Sequence, residues 1–237
     1  MSPAARAHHR AAWLAAGLLA LAALLLIAGI GVGSTGLQSI WHALDDATAR
    51  QIVLDIRLPR TLGAWLAGAL LGLAGAVAQG LFRNPLADPF LLGSASGASL
   101  GVALALVLFG FSPLAASWVS ALGLTGAAFI GSMAAVLLTL TLARGVQHTL
   151  RLLLSGVIVG VVLGAIGSLV TLLVPETMPA MQAFMLGSTG FVGWPACGLM
   201  AAAFTVCLSV AWTLSPVLDG LTLGEATARS LGLPLAP

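Results

Sequence analysis

The chain has 237 residues, 59% of them hydrophobic and only 7% charged, with a formal net charge of +2 and a mean hydropathy of +1.10. A soluble domain covers itself with about 25% charged residues, so this surface is built to face lipid, and so small a net charge gives no footprint for nucleic acid. All nine basic residues are arginine. Without lysine there is no G-x-x-x-x-G-K-[ST] phosphate loop, and any ATP hydrolysis coupled to this protein takes place on another chain.

The N-terminal stretch MSPAARAHHR is basic and leads into an apolar run that is longer than a signal-peptide core and has no persuasive A-x-A cleavage site before more membrane follows. It predicts a retained membrane helix at about 11–32. Further runs long enough to cross the hydrocarbon core, which takes about 20 residues, fall at about 61–81, 90–110, 114–142, 152–174 and 196–214. The fourth is longer than a crossing requires. These runs lack the alternation of barrel strands, and in lipid each span must satisfy its own backbone polar groups. The expected fold class is therefore an all-α polytopic membrane protein, one transmembrane domain over 1–237 with about six helices. An N-terminus in the cytoplasm places Arg6, Arg10, Arg83, Arg144, Arg151 and Arg229 inside, against Arg50, Arg57 and Arg60 outside, the orientation favoured by the positive-inside rule.

Small residues recur every four positions on three of these spans: Gly68, Gly72, Ala76 and Gly80; Gly93, Gly97 and Gly101; Gly156, Gly160, Gly164 and Ser168. Positions four apart share a helix face. Such a face either lets helix backbones approach closely or lines a pathway.

Polar residues are scarce within the spans. Aspartates, glutamates and histidines all fall in loops or at span ends, leaving Gln79 and scattered Ser and Thr. This weighs against proton- or ion-coupled transport, which keeps an ionisable group at membrane depth. Ser94 and Ser96 of GSASG have no histidine to act as base, so no catalytic residue is assigned, and no metal-ligand set either. Cys197 and Cys207, ten residues apart on one helix, would be about 15 Å apart, too far for a disulfide, and read as small packing residues.

The sharpest polar punctuation is QGLFRNPLADPFLLG, 79–93. Asn84-Pro85 is expected to stop the second helix, since proline disfavours helical geometry in the residue before it. Asp88-Pro89 is expected to start the third, with aspartate as N-cap and proline at the first helical position. Asn84, Pro85, Asp88 and Pro89 thus predict a compact cytoplasmic turn.

Several motifs follow one another along the chain. RLPRTLGAWLAGALLGLAGAVAQGLFRNPLADPFLLGSASGASLG (57–101) contains, in order, R-x-P-R, a span ending G-A-x-x-Q-G, N-P-L-A-x-P and L-G-x-x-x-G-A; MLGSTGFVGW (185–194) and LDGLTLGEATARSLGLPL (218–235) come later. Together they resemble the FecCD family, the membrane permeases of ABC importers for iron-siderophores, haem and vitamin B12. One departure is Phe184, or a neighbour, where the family pattern has tryptophan. The resemblance implies a ten-helix importer bundle, of which this chain carries about six, hence an expectation that it is incomplete at its C-terminus.

By that resemblance the chain is not an enzyme but the permease subunit of a binding-protein-dependent importer. It would move an iron-siderophore or related metal chelate into the cytoplasm, with no cofactor on this chain and ATP and Mg on the partner ATPase. The implied partners are cytoplasmic ATP-binding subunits, a periplasmic or lipid-anchored substrate-binding protein, a second permease subunit and membrane lipid, in the bacterial inner membrane. Arg57 and Arg60 match the R-x-P-R arginines that dock the binding protein, a task suited to the planar guanidinium fork. Leu223, Gly224, Glu225, Ala226, Arg229, Leu231 and Gly232 match the cytoplasmic coupling segment, about 219–233, that engages the ATPase; Glu225 and Arg229 form an i,i+4 helix pair. Two other readings stay open: an ATP-independent secondary transporter or channel, and a non-transporting remnant of a permease.

Overall fold

The computed structural model describes residues 3–31, 46–110, 118–144, 149–190, 192–222 and 230. Among them there is no strand. The helices are α1 (Pro3–Gly31), α2 (Ala47–Gln51), a π-helical segment (Ile52–Arg57), α3 (Leu58–Phe82), α4 (Ser94–Phe109), α5 (Trp118–Ala143), α6 (Thr149–Leu173), a 3-10 turn (Pro175–Thr177), α7 (Met178–Leu186) and α8 (Trp194–Thr222). Among the described residues, five stretches are long and apolar enough to cross a membrane: His9–Gly31, Ala47–Phe82, Gly123–Ala143, Leu150–Leu173 and Trp194–Gly220. The protein is an all-α, multi-pass membrane protein.

Span boundaries depart from the sequence expectation at several points. The predicted second span begins at 61, but the helix is continuous from Ala47 through the π-segment to Phe82, so Asp55, Arg57 and Arg60 are helical rather than in a loop. The predicted third span begins at 90, whereas α4 begins at Ser94 and has 16 residues, about 24 Å at 1.5 Å per residue. Gly93, at φ +79°, breaks helical continuity with the turn before it. At its other end α4 closes on Gly110, also left-handed, whose N–H donates to the Leu106 carbonyl at 3.1 Å, the glycine cap expected of a helix C-terminus.

Contacts divide the chain into two units, Met1–Leu70 with Val192–Val206, and Leu71–Phe191 with Cys207–Pro237. In the second, α4 packs against α5, α6 and α7, and α5 against α6. Its core is Val102, Ala103, Ala105, Leu106, Leu124 and Met181. In the first, α1 touches the π-segment, and Gly29 gives the Thr61 side chain its room. Outward-facing Leu, Ile and Val cover the long helices, among them Leu14, Leu18, Ile158 and Val161. That is the composition lipid requires.

Helix α8 runs to Thr222 through Pro216, eight residues past the predicted span end at 214. Proline removes a backbone donor, leaving the Trp212 carbonyl four residues back without one. The Ser215 hydroxyl supplies it at 2.9 Å, and the helix continues.

Candidate functional site

In the first unit, the R-x-P-R segment straddles the end of the π-segment. Leu58 N–H donates to the Val53 carbonyl, five residues back, which gives the wide turn. Pro59 is fully buried. Arg60 is exposed, whereas Arg57 is half-buried and its Nη1 is enclosed without a hydrogen-bond partner. The two arginines predicted to dock together therefore differ in environment. Thr61 Oγ1 donates to the Arg57 carbonyl at 2.9 Å. From the start of α8, Trp194 Nε1 donates to the Leu54 carbonyl at 3.1 Å, and the Cys197 thiol donates to the Pro59 carbonyl at 3.1 Å. Gly63 continues this face, where a Cβ would lie 2.5 Å from Val192 Cγ1.

Sequence reasoning gave Trp194 no role and read Cys197 as packing alone. A signal was present in Pro59, since a proline inside a helix demands a substitute donor, but nothing local named the donor. Both cysteines are free thiols.

In the second unit, the punctuation after α3 folds differently from expectation. The helix is stopped by Arg83, at φ +52°, and not by Asn84-Pro85. Arg83 N–H donates to the Gly80 carbonyl at 3.4 Å and Asn84 N–H to the Gln79 carbonyl at 3.2 Å, the paired bonds of a Schellman cap. Two Asx-Pro turns follow in tandem. Asn84 Oδ1 accepts from Leu86 N–H at 2.9 Å while Ala87 N–H donates to the Asn84 carbonyl at 3.0 Å. Asp88 Oδ1 accepts from Phe90 N–H at 2.7 Å and Leu91 N–H donates to the Asp88 carbonyl at 3.2 Å. The aspartate thus caps a single turn, not the helix, because Gly93 intervenes. Thr139, fully buried on α5, fixes the end of this turn by donating to the Leu92 carbonyl at 3.0 Å.

The glycines divide into two groups. A Cβ at Gly97 or Gly101 would strike the backbone of α5 at Gly131 or Ala127, and one at Gly156 would strike the Leu91 carbonyl. Gly93 lies 3.3–3.4 Å, by the same measure, from Gly156, Val159 and Gly160; Gly160 and Gly164 face the Ser96 hydroxyl at 3.8 and 3.7 Å. These positions form one crossing of α4 with α5 and α6. Gly80 faces the Leu218 side chain at 3.5 Å, while Gly68 and Gly72 have nothing within 4 Å. An apolar groove of about 400 Å³ opens beside the crossing, bounded by Leu104, Leu108, Ile130 and Leu163 among others. The coupling residues Leu223, Gly224, Glu225, Ala226, Arg229, Leu231 and Gly232 lie outside the described residues.

Residues 18–236 match the FecCD transport family. The chain belongs to that family. FecCD chains are transport proteins and not enzymes, and similarity extends to individual members. The vitamin B12 import system permease proteins BtuC of Salmonella paratyphi A (strain ATCC 9150 / SARB42) and Salmonella newport (strain SL254) are each 40% identical over 222 residues, 92% of this chain. The chain spans 65% of the length of these relatives. Among solved structures, a metal-chelate type ABC transporter in an inward-facing conformation superposes with a TM-score of 0.79 at 30% identity, over 93% of this chain and 68% of that one.

Proposed function

We propose that this FecCD chain is the membrane permease subunit of an ABC importer that brings a metal chelate into the bacterial cytoplasm. The observation that carries the reading is the family match over 18–236, together with 40% identity to vitamin B12 permeases. That identity makes a corrinoid the first chelate to test and an iron-siderophore the second.

In this reading the chain sits in the inner membrane with its N-terminus inside. A substrate-binding protein docks on the outer face, where exposed Arg60 offers a carboxylate-accepting fork; such contacts mainly set encounter rate and specificity. ATP and Mg are held by cytoplasmic ATP-binding subunits, which act on this chain through 219–233, and a second permease subunit completes the pathway. The crossing of α4 with α5 and α6 suits a moving part. At its glycines the contact is backbone on backbone, with no side chain there to be unlocked.

The test is to delete the gene in its host and measure uptake of labelled cyanocobalamin and of labelled ferric siderophore. Loss of one uptake, restored by the gene and abolished again by substituting the phosphate-loop lysine of the partner ATPase, is the expected result. Uptake of both chelates unchanged by the deletion would refute the reading. Uptake that survives loss of the ATPase would replace it with secondary transport.

A further inference from the structure

A proline inside a helix leaves a carbonyl without its backbone donor, and in the π-segment that acceptor can be named. Leu58 N–H is spent on Val53, five residues back. In that register the Leu54 carbonyl falls to the amide of residue 59, which proline lacks; its helical alternative, the amide of Leu58, is already used. A helix carbonyl that has lost its backbone donor must find another partner. The Leu54 carbonyl instead receives the indole N–H of Trp194, at 3.1 Å and 140 residues away in sequence. One turn further along α8, the Cys197 thiol reaches the Pro59 carbonyl, and Gly63 lets Val192 close in. Pro216 shows the same need met locally, by Ser215.

We propose that Trp194 is a positioning residue for the arginine pair. Its indole replaces the donor that Pro59 removes, keeps the π-segment open, and so turns Arg57 inward while Arg60 faces out. Collapse of the π-turn to an α-turn would change the helix register by one residue, a rotation of about 100°. The value of this positioning to transport rests on the docking role of the arginines; the positioning itself does not.

The test uses the full chain in membranes, with Cys207→Ala to remove the exposed thiol; Cys197 is buried. Arg57→Cys or Arg60→Cys serves as reporter, and the rate of labelling by a membrane-impermeant maleimide is read. Position 60 is expected to react faster than position 57. Trp194→Phe keeps an aromatic ring but removes the donor, and is expected to narrow the ratio of the two rates about fivefold, the scale of one hydrogen bond. Adding Pro59→Ala restores an amide for the Leu54 carbonyl, and Trp194→Phe should then change the ratio less than about twofold. An equal effect with and without Pro59, or no effect in either, overturns the proposal, because ring packing does not depend on the amide of residue 59. If Trp194→Phe fails to insert, recovery by Pro59→Ala supports the proposal and failure in both backgrounds refutes it. Labelling needs no binding protein, so the docking reading can fail separately, in the Arg60→Glu experiment below.

Discussion

Gly97→Ala adds one methyl group at the point where α4 crosses α5. Built on the backbone, that Cβ meets the Gly131 carbonyl oxygen, lies 2.5 Å from Ala135 Cβ and 3.0 Å from Gly131 C. Carbon atoms pack at about 3.5–4.0 Å, so the methyl is at least about 1 Å too close. Two of the three obstacles are backbone, and no rotamer change relieves them; α4 must move away from α5 as a body. Such a displacement loosens Val102, Ala103, Ala105 and Leu106, which are 0–7% exposed, and a gap of 0.5–1 Å forfeits roughly a quarter to a half of each dispersion contact. Overpacking costs about 1–3 kcal/mol, and the lack of relief places this site near 3. Replacing helical glycine by alanine returns about 1 kcal/mol, leaving a net loss of about 2 kcal/mol. At about 2–4 °C per kcal/mol for a chain of this size, Tm falls by roughly 4–8 °C. The control is Gly68→Ala, which meets nothing within 4 Å and is expected to raise Tm by about 2–4 °C. Detergent-solubilised Cys207→Ala protein supplies the assay, with a thiol-reactive dye reporting the melting-out of buried Cys197. Equal Tm shifts for the two variants would refute the reasoning, since the same chemical change would then be indifferent to its neighbours.

Other outcomes are expected from the same geometry. Thr139→Val keeps the shape but loses the bond to the Leu92 carbonyl, and should cost about 1–3 kcal/mol by the same melting assay, with Thr139→Ser close to the parent. Gly93→Ala forces a side chain into φ +79° and should lose about 1–2 kcal/mol, more than substitution at Gly160, where a Cβ has ordinary contacts. Arg60→Glu should slow association with the substrate-binding protein, with the difference shrinking as salt rises, while membrane insertion is unchanged; an unaltered association rate removes Arg60 from docking. Arg57→Gln, at the enclosed guanidinium, should by contrast affect melting more than association.

Hydropathy made the membrane helices legible, and the Asn-Pro and Asp-Pro pairs announced a compact turn. What sequence could not supply was direction and distance. The spacing of Gly68 and Gly72 is the same as that of Gly97 and Gly101, yet only the second pair meets another backbone, because spacing defines a face and not what lies opposite it. Asp88-Pro89 carries a good helix-start signature, but left-handed Gly93 comes before the helix and confines the cap to one turn. Pro59 and Pro216 make the contrast plainest. Ser215 stands beside Pro216 and its compensating bond is local, whereas the donor for the carbonyl orphaned by Pro59 is Trp194, found only through tertiary structure. Nor did the charged R-x-P-R stretch read as helix, since part of its hydrogen bonding comes from that distant indole.

The backbone contact between α4 and α5 also constrains how this sequence can change. A clash between two side chains can be cured at either partner, by shrinking one when the other grows. At Gly97, Gly101 and Gly156 the opposing atoms include carbonyl oxygens, which every amino acid carries, so no replacement at the partner position makes room. Second-site suppressors of a bulky residue there must act by shifting a whole helix, and a suppressor screen should return mostly changes at the original codon. These glycines are held one by one, each against a surface that cannot mutate.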